Sequence, residues 1–302
     1  MTLEQLRVFL EVAEREHVTR AAEALNLTQS AVSAAIAALE MRHAVILFDR
    51  VGRRIELTEA GRLFVPEARA VLERARSAET MLADLAGSTG GLLRIHASQT
   101  VASYWLPARL MRYHERFSRV DLQLTVGNTQ SAGEAVLEGA ADLAVVEGGL
   151  DLPGLIVRGV AQDRLVLVVG NRHPWSDGRA ILPDNLMETN WILREDGSGT
   201  RAAFEAHLRG LDLDPTALSI VLELPSNEAA MAAVEAGQAA TVLSIRAAQA
   251  HVAAGRLHVC DFEIPPRSFS VVHHGQRHVT RALAALIQML DAPDAADDAY
   301  PG

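Results

Sequence analysis

Three stretches near the N-terminus carry apolar residues at helical spacing. Their apolar faces are Leu6, Phe9, Leu10 and Ala13 in the first, Ala21, Ala22 and Leu25 in the second (residues 19–26), and Val32, Ala35, Ile36 and Leu39 in the third. Asn26 tolerates left-handed backbone angles, and Thr28 can cap the helix that follows it. The pattern therefore predicts two helices, a tight turn and a third helix, which is the order of a helix-turn-helix.

The third helix presents small and amide-bearing side chains on the side opposite its apolar face. A helix whose N-terminal end exposes such groups can enter a major groove and approach the base edges. We therefore predict that this end of the helix contacts DNA through Thr28, Gln29, Ser30, Ser33 and Ala34.

Residues 47–58 predict two short strands with Gly52-Arg53-Arg54 near the tip. A hairpin tip with adjacent arginines suits phosphates or a narrow minor groove, where the negative potential is enhanced. Arg50, Arg53 and Arg54 are the predicted contacts. The alternative is a small three-helix domain with a solvated pair of arginines, but a wing at this spacing favours DNA binding.

Residues 58–86 predict one long helix with apolar positions spaced alternately four and three residues apart. These positions are Phe64, Ala68, Val71, Ala75, Ala78, Leu82 and Leu85. Such a heptad seam is typical of a dimerising helix, and the alternative is a helix packed on its own domain. Pro66 is expected to kink this helix slightly or to loosen one hydrogen bond. Residues 87–91 read Gly-Ser-Thr-Gly-Gly and predict a flexible joint.

Beyond residue 91, short β-branched or leucine-rich runs alternate with helical patterns. Strands are predicted at 92–96, 121–126, 143–147, 165–169, 220–224 and 240–243, and helices at 101–117, 131–138, 200–209, 226–235 and 246–253. This alternation predicts an α/β fold of parallel sheets with helices on both faces. Crossings at residues 163–164 and 265–266 would divide it into two lobes. The predicted domains are 1–57, 58–91 and 92–302, with lobe I at 92–162 and 267–291, lobe II at 163–265, and a frayed tail.

Small polar residues follow several predicted strands, at the edge where ligands of open α/β sheets collect. The candidate effector-binding residues are Ser98, Gln99, Thr100, Asn128, Thr129, Glu147, Ser198, Gly199, Thr200 and Arg201. Helix N-termini at these junctions offer unpaired amides and a partial positive charge. Each junction alone could be an ordinary helix cap. Together they predict a cleft for a small anion.

Four motifs carry a family resemblance. Thr28-Gln29-Ser30-Ala31-Val32-Ser33, Leu39-Glu40, Leu47-Phe48-Asp49-Arg50 and Leu57-Thr58-Glu59-Ala60-Gly61, in this order, closely resemble the LysR-type transcriptional regulators. The resemblance covers essentially the whole chain. It implies a winged helix-turn-helix, a long dimerising linker helix, and a two-lobed effector domain built like a periplasmic solute-binding protein. Arg53 would then be the wing contact.

The resemblance also implies partners and a mechanism. Promoter DNA, a small-molecule effector and the protein itself are the expected partners, the last as a homodimer or a homotetramer built as a dimer of dimers. RNA polymerase is a further candidate. Effector binding would close the two lobes and thereby shift the paired effector domains.

Residues 126–129, 141–148 and 197–201 are similar to the regulators of sulfur assimilation and carbon fixation. A small inorganic oxyanion, by preference a sulfur one, is therefore the expected effector. Glu147 opposes an anion unless it is protonated, bridged by water, or paired with an arginine such as Arg201 or Arg158. It could instead favour a ligand with a donor group.

The chain departs from the family pattern in places. Ser30 stands where proline is frequent, and alanines at 34, 35, 37 and 38 stand where relatives often place Arg or Lys. His43-Ala44 replaces the usual Leu-Gly, where alanine in a left-handed turn costs about 1 kcal/mol. These departures bear on affinity and docking rather than on the fold.

Composition sets limits on function. The chain has 302 residues, which predicts about two domains, and a net charge of −10, which argues against a general nucleic-acid binder. The chain contains no lysine, so all 28 of its strongly basic residues are arginine. The single cysteine, Cys260, excludes an internal disulfide and predicts a buried, inert thiol. No apolar run could span a membrane, and the N-terminus begins with an amphipathic helix rather than a signal peptide, so a cytoplasmic protein is expected.

No set of residues singles out a catalytic or metal-binding site, and His273, His274 and His278 are expected to be surface residues. We therefore predict a DNA-binding transcriptional regulator, not an enzyme, that needs no cofactor beyond its effector. The alternative is a cytosolic solute-binding protein without a gene-regulatory role. A protein that only binds a solute would have no function for the wing arginines, so their presence favours the regulator.

Overall fold

A computed structural model describes residues 1–51, 54–87 and 90–292, with only the backbone of residues 50, 51 and 54. The chain folds into two compact units. Among the described residues, the first comprises those between Met1 and Gly87 together with Glu138–Ala140, and the second comprises 90–137 and 141–292.

The first unit begins with the three predicted helices, α1 (Leu3–Arg15), α2 (Val18–Ala24) and α3 (Gln29–His43). Their apolar faces meet in one core that includes Phe9, Val32 and Ile36. Asn26 adopts the predicted left-handed angle, with φ of 54°, and the Thr28 hydroxyl accepts a hydrogen bond from the Ala31 amide at 3.2 Å. The predicted turn and cap between α2 and α3 are therefore confirmed.

Strands β1 (Phe48–Val51) and β2 (Arg54–Leu57) form an antiparallel pair, with Phe48 opposite Leu57. Ala44 ends α3 with φ of 50°, the left-handed turn that the sequence predicted there. The Glu40 carboxylate accepts hydrogen bonds from the Leu47 and Phe48 amides at 2.7 and 3.2 Å. The Leu39-Glu40 motif thus joins the third helix to the start of the wing.

Helix α4 (Glu59–Leu85) is 27 residues long, and it continues through Pro66. Its predicted seam does not form one face for a partner. Phe64 and Ala68 pack into the core of their own unit, whereas Leu82 and Leu85 are exposed. The prediction of an unbroken seam is therefore wrong at its start, because the heptad pattern cannot distinguish burial within the chain from burial by a partner.

The second unit contains two five-stranded sheets. Lobe I is built on the order β4-β3-β5-β12-β6, with β3 (Gly91–Ser98), β4 (Val120–Gly127), β5 (Leu143–Glu147), β6 (Leu155–Asp163) and β12 (Arg267–His274). Lobe II has the order β11-β7-β10-β8-β9, with β7 (Leu165–Gly170), β8 (Asn190–Arg194), β9 (Ser219–Leu224), β10 (Ala239–Ser244) and β11 (Leu257–Val259).

Both sheets are mixed rather than parallel. Strand β12 runs antiparallel to β5 and β6, and β7 runs antiparallel to β10 and β11. The prediction of purely parallel sheets is corrected here, since apolar patterns do not record strand direction. The chain passes from one sheet to the other between Asp163 and Leu165, and it returns before Arg267.

The helices of this unit flank the sheets. They are α5 (Gln99–Tyr104), α6 (Leu106–Arg116), α7 (Thr129–Glu138), α8 (Gly199–Gly210), α9 (Asn227–Ala236), α10 (Ile245–Ala253) and α11 (Arg281–Asp291). The single helix predicted over 101–117 is two helices, broken at Trp105. Pro107 lacks an amide proton and its ring opposes the carbonyl four residues earlier, so the helix restarts. Across the described ranges, none of the helices is long and apolar enough to cross a membrane.

Candidate DNA-binding surface and effector cleft

The outer face of α3 is available for contact. Gln29, Ser30 and Ala34 are exposed and Ser33 is half-buried, whereas Val32 on the opposite face is fully buried. The Thr28 hydroxyl lies 3.0 Å from that of Ser30 and also caps the helix. The predicted DNA-contacting side chains are therefore presented to solvent at the N-terminal end of α3.

The predicted wing contacts can be placed only in part. Arg53 lies outside the described residues. Arg50 and Arg54 belong to β1 and β2, and their side chains also lie outside the described part of the chain.

A buried carboxylate lies at the centre of the candidate cleft. Glu147, the last residue of β5, is 1% exposed. Its Oε2 accepts a hydrogen bond from the Ser98 hydroxyl at 2.7 Å, and its Oε1 accepts from the hydroxyls of Thr100 and Thr200 at 3.1 and 3.3 Å. Ser98 and Thr100 belong to lobe I and Thr200 to lobe II. Three hydroxyls from both lobes therefore converge on one negatively charged group.

The N-terminus of α8 approaches the same carboxylate. A Cβ added to Gly199 would lie 2.1 Å from the Glu147 carbonyl oxygen, so only glycine permits this approach. That carbonyl also accepts a hydrogen bond from the Thr129 hydroxyl at 2.9 Å. Ser198 is 1% exposed, and its hydroxyl has no hydrogen-bond partner among the described residues. The helix N-terminus thus brings a buried, unused hydroxyl and its partial positive charge to the cleft.

Arg267 supplies the positive charge. Its Nη1 donates to the Thr200 hydroxyl at 2.9 Å and lies 3.7 Å from Glu147 Oε1, while its Nε donates to Asp163 at 2.9 Å. Burial raises the pKa of Asp163, whereas the guanidinium of Arg267 and the hydrogen bond from Ser244 lower it. Two carboxylates, Glu147 and Asp163, are therefore balanced by Arg267 and by Arg246, which lies 3.8 Å from Asp163.

This arrangement corrects two expectations about arginine. Glu147 is paired with Arg267 rather than with Arg201 or Arg158. The Arg201 side chain contacts Glu205 at 2.8 Å and Glu223 at 2.5 Å, and it does not join the cleft hydroxyls. Arg158 lies 3.4 Å from Asp291. Arg201 opens α8 with its neighbours in sequence, but the helical turn directs its side chain to a different face.

Two further predicted residues bridge the lobes. The Gln99 amide oxygen accepts from Arg194 at 3.3 Å and from the Asn227 backbone amide at 3.1 Å. Asn128 donates to Glu195 at 3.4 Å and to the Asp196 carbonyl at 3.1 Å. These side chains therefore connect lobe I to lobe II rather than surround the Glu147 carboxylate.

Two buried polar residues, Arg194 and Arg267, were not predicted from the sequence, and Asn227, which the sequence places at a polar strand-to-helix junction, was not among the candidate effector-binding residues. Asn227 donates to the Thr100 hydroxyl at 3.0 Å and accepts from Arg194 at 2.9 Å. Asn227 follows a strand and opens a helix, which is the same signal that identified the other junctions. Arg267 directly follows Pro265-Pro266, where the sequence predicts that the chain crosses between the lobes. A charged residue at that crossing was the signal that could have identified it as a residue of the cleft.

Comparison with known proteins gives matches over nearly the whole chain. The family model for the LysR substrate binding domain matches residues 86–293, and that for the bacterial regulatory helix-turn-helix protein, lysR family, matches residues 3–62. The uncharacterized HTH-type transcriptional regulator YeiE of Escherichia coli (strain K12) is 35% identical, with 96% of this chain and 97% of that protein covered.

Two more relatives extend the comparison. A probable RuBisCO transcriptional regulator from Synechocystis is 32% identical, with 98% of this chain and 89% of that protein covered. The structure of the Synechocystis CcmR regulatory domain in complex with 2-PG has a TM-score of 0.62 at 23% identity, and covers 70% of this chain and 100% of that one. The predicted fold class and the resemblance to regulators of carbon fixation are confirmed by these matches.

Proposed function

The chain belongs to the LysR family of bacterial transcriptional regulators, and on that premise we propose that it binds promoter DNA under the control of a small oxyanion held in the cleft between its lobes. A sulfur oxyanion is the preferred case. The protein is a regulator and not an enzyme. The observation that carries the anion proposal is the convergence of hydroxyls from Ser98, Thr100 and Thr200 on the Glu147 carboxylate.

The Glu147 carboxylate occupies the position at which an anionic effector would bind. A carboxylate presents two oxygens on one carbon, and the surrounding hydroxyls and Arg267 already bind that shape and charge. An anion that entered beside Glu147 would leave the buried groups with one excess negative charge, which is strongly disfavoured. With the Glu147 side chain turned out to solvent, an anion in its place adds one negative charge fewer than it would beside the carboxylate, and Ser198 at the N-terminus of α8 has a hydroxyl without a partner among the described residues. We therefore expect exchange rather than addition.

The size of this position favours a compact ligand. Sulfite, sulfate and phosphate carry three or four oxygens on one central atom, and two of these can face the hydroxyls as the two carboxylate oxygens do. The CcmR regulatory domain binds the larger 2-PG, so 2-PG is the second candidate. A ligand with a positively charged donor group would instead keep Glu147 in place and bind to it.

Thermal unfolding of the full chain with sulfite, sulfate, phosphate, 2-PG and methylammonium tests this proposal. A compact oxyanion is expected to raise the melting temperature with saturation, since a ligand at 100 times its Kd stabilises by about 2.7 kcal/mol. Thr200→Val should abolish most of the shift. Thr216→Val is the matched control, because Thr216 is exposed and its hydroxyl bonds to Asp214 outside the cleft. Stabilisation by methylammonium alone would overturn the anion proposal.

The DNA-binding half of the proposal rests on α3. Gln29 and Ser30 are exposed at its N-terminal end, the end that meets base edges in helix-turn-helix proteins. Arg50, Arg53 and Arg54 remain the proposed wing contacts. The solute-binding alternative does not account for the N-terminal match to a regulatory helix-turn-helix.

Self-association is proposed to use α4. Five exposed apolar residues form a stripe along this helix, since at 3.6 residues per turn they lie within one third of its circumference. They are Leu63, Val71, Met81, Leu82 and Leu85. An apolar groove of about 510 Å³ opens beside the start of this stripe. Its lining includes Leu39, His43, Val45, Leu63 and Glu67. An exposed apolar stripe of this length is typical of an interface.

Charge favours an antiparallel partner helix. The stripe carries two charged residues, Glu67 and Arg74. In a parallel pair of α4 helices, Glu67 would face the partner's Glu67, and Arg74 would face the partner's Arg74. In an antiparallel pair, Glu67 faces Arg74 of the partner subunit, and the two-fold axis gives this contact twice. The antiparallel arrangement also brings the exposed leucines at the end of one helix towards the groove at the start of the other. We therefore propose a two-fold dimer, and a tetramer as a pair of such dimers.

Sedimentation of Leu82→Asp tests the dimer. Ala83→Asp is the matched control, because Ala83 is exposed one residue further on and lies off the stripe. The first variant should lower the mass in solution and the second should not. A charge exchange, Glu67→Arg with Arg74→Glu, should preserve the dimer although each single change weakens it. Equal masses for both aspartate variants would count against this surface.

A further inference from the structure

One of the groups that join the two lobes is an exposed carboxylate, that of Glu228. Glu228, in the first turn of α9 in lobe II, accepts a hydrogen bond from the Tyr104 hydroxyl at 2.6 Å and another from the Gln99 side-chain amide at 2.6 Å. Tyr104 and Gln99 both belong to α5 in lobe I. Each oxygen of the Glu228 carboxylate thus holds a different side chain of the opposite lobe.

This contact also fixes the orientation of Gln99. Because its Nε2 donates to Glu228, its Oε1 is directed at Arg194 and at the backbone amide of Asn227. Asn227 in turn donates to Thr100, whose hydroxyl bonds to Glu147. A continuous set of hydrogen bonds therefore leads from the exposed carboxylate of Glu228 to the buried carboxylate of Glu147.

The chemistry of the three groups suits a latch. The pKa of Tyr104 is raised by burial and by Glu228, so its hydroxyl stays a donor. Its ring packs against the apolar core of lobe II, so removal of the hydroxyl leaves that packing intact. A second bridge lies on the α7 side, where the Gln130 amide donates to the Gly197 carbonyl at 3.2 Å. The lobes are thus held together by residues of the chain on both sides of the cleft.

We propose that Glu228 and Tyr104 form a latch that holds the lobes closed and positions Gln99, so that the effector exchanges only when the latch opens. This inference differs from ligand-driven closure, because the bridging contacts are supplied by the protein. In this proposal contacts within the protein keep the lobes closed, and the rate at which the latch opens limits how fast the effector exchanges. The strength of the latch sets that rate whatever the effector is.

The backbone amide of Asn227 reports the opening directly. It lies in the first turn of α9, where helix amides have no partner within the helix, and its acceptor is Gln99 in the other lobe. Its hydrogen exchange therefore depends on separation of the lobes rather than on unfolding of α9. The Gln130 amide reports the opposite side of the cleft in the same way.

Hydrogen exchange of the full chain, resolved to single residues by mass spectrometry, tests the latch without any ligand. Tyr104→Phe should speed exchange at Asn227 about 3- to 10-fold, the loss expected for one solvent-accessible hydrogen bond. Glu228→Gln should have a similar effect, because an amide has one acceptor oxygen for two donors. Glu228→Ala should speed exchange about 10- to 100-fold.

Tyr113→Phe is the matched control. The Tyr113 hydroxyl donates to the Ala282 carbonyl at 2.8 Å, a contact confined to lobe I, so its loss should leave Asn227 unchanged. In a Glu228→Ala background, Tyr104→Phe should add less than a 2-fold effect. The latch is overturned if Tyr104→Phe and Tyr113→Phe affect Asn227 equally, or if Tyr104→Phe has its full effect without Glu228. Since no effector is added, either result leaves the proposed anion site to its own test.

Discussion

Replacement of Glu147 by glutamine separates an anion site from a site for a donor ligand. Glutamine keeps the shape of the side chain. Its carbonyl oxygen can accept from Thr100 and Thr200, and its amide can donate to Ser98, whose hydroxyl rotates. The variant should therefore fold, and the change should be one of charge.

The magnitude follows from the contacts that an entering anion must displace. Hydrogen bonds to a charged group contribute about 1 kcal/mol more than neutral ones, which gives about 3 kcal/mol for three hydroxyls. Arg267, 3.7 Å from the carboxylate, also loses an attraction of about 4 kcal/mol at an effective dielectric constant of 20. Asp163 accepts from the same guanidinium and offsets this second contribution, so the hydroxyl contribution of about 3 kcal/mol remains, and we expect Glu147→Gln to bind a compact oxyanion about 100-fold more tightly.

Titration calorimetry of the full chain with sulfite and sulfate measures this effect. Glu205→Gln is the matched control, since it also replaces a glutamate by glutamine and removes one negative charge. Glu205 belongs to α8 and pairs with Arg201 outside the cleft. Its anion affinity should equal that of the unmodified protein. Unchanged or weaker anion binding by Glu147→Gln would refute the exchange mechanism. Tighter binding of methylammonium to the unmodified protein than to the variant would identify Glu147 as a receptor for a donor ligand.

Three other predictions concern different parts of the chain. Gln29→Ala should weaken operator binding by about 1–3 kcal/mol with an unchanged salt slope, measured by fluorescence anisotropy, and an equal loss on unrelated duplexes would argue against a base contact. Burial lowers the pKa of His173 from the ordinary histidine value of 6.5. Below that pH only the unfolded chain takes up a proton, so the free energy of unfolding should fall as the pH drops. Chemical unfolding of His173→Asn should show a weaker pH dependence. Burial raises the pKa of Cys260 to about 12, so a thiol reagent at pH 8 should modify it only after denaturation, and rapid labelling of the native protein would contradict this burial.

The sequence was sufficient to predict the local architecture of the DNA-binding unit. Its signals are short-range: helical spacing of apolar residues, Asn26 in a left-handed turn, and Thr28 as a cap all act within a few residues. The left-handed Ala44 followed from the same reasoning. Such features depend on backbone chemistry that is local to the chain, and they survive in the folded protein.

Features that depend on distant pairing were harder to predict. The direction of β12 is set by its neighbours β5 and β6, about 100 residues earlier, and no periodicity records it. The partner of Glu147 proved to be Arg267, because the crossing that precedes β12 brings that arginine beneath the cleft. Arg201, close in sequence to Thr200, points elsewhere. Sequence proximity predicted which junctions are polar, but it did not predict which side chains meet.

The position of β12 has a consequence for synthesis of the protein. Strand β6 joins the sheet of lobe I only through β12, which emerges from the ribosome after every strand of lobe II has been made. Lobe II can thus complete its sheet while lobe I still lacks an inner strand, and a nascent chain stalled before residue 267 exposes an unpaired β6. Premature termination just before residue 267 should therefore yield an aggregation-prone product, although the DNA-binding unit and lobe II are both fully encoded.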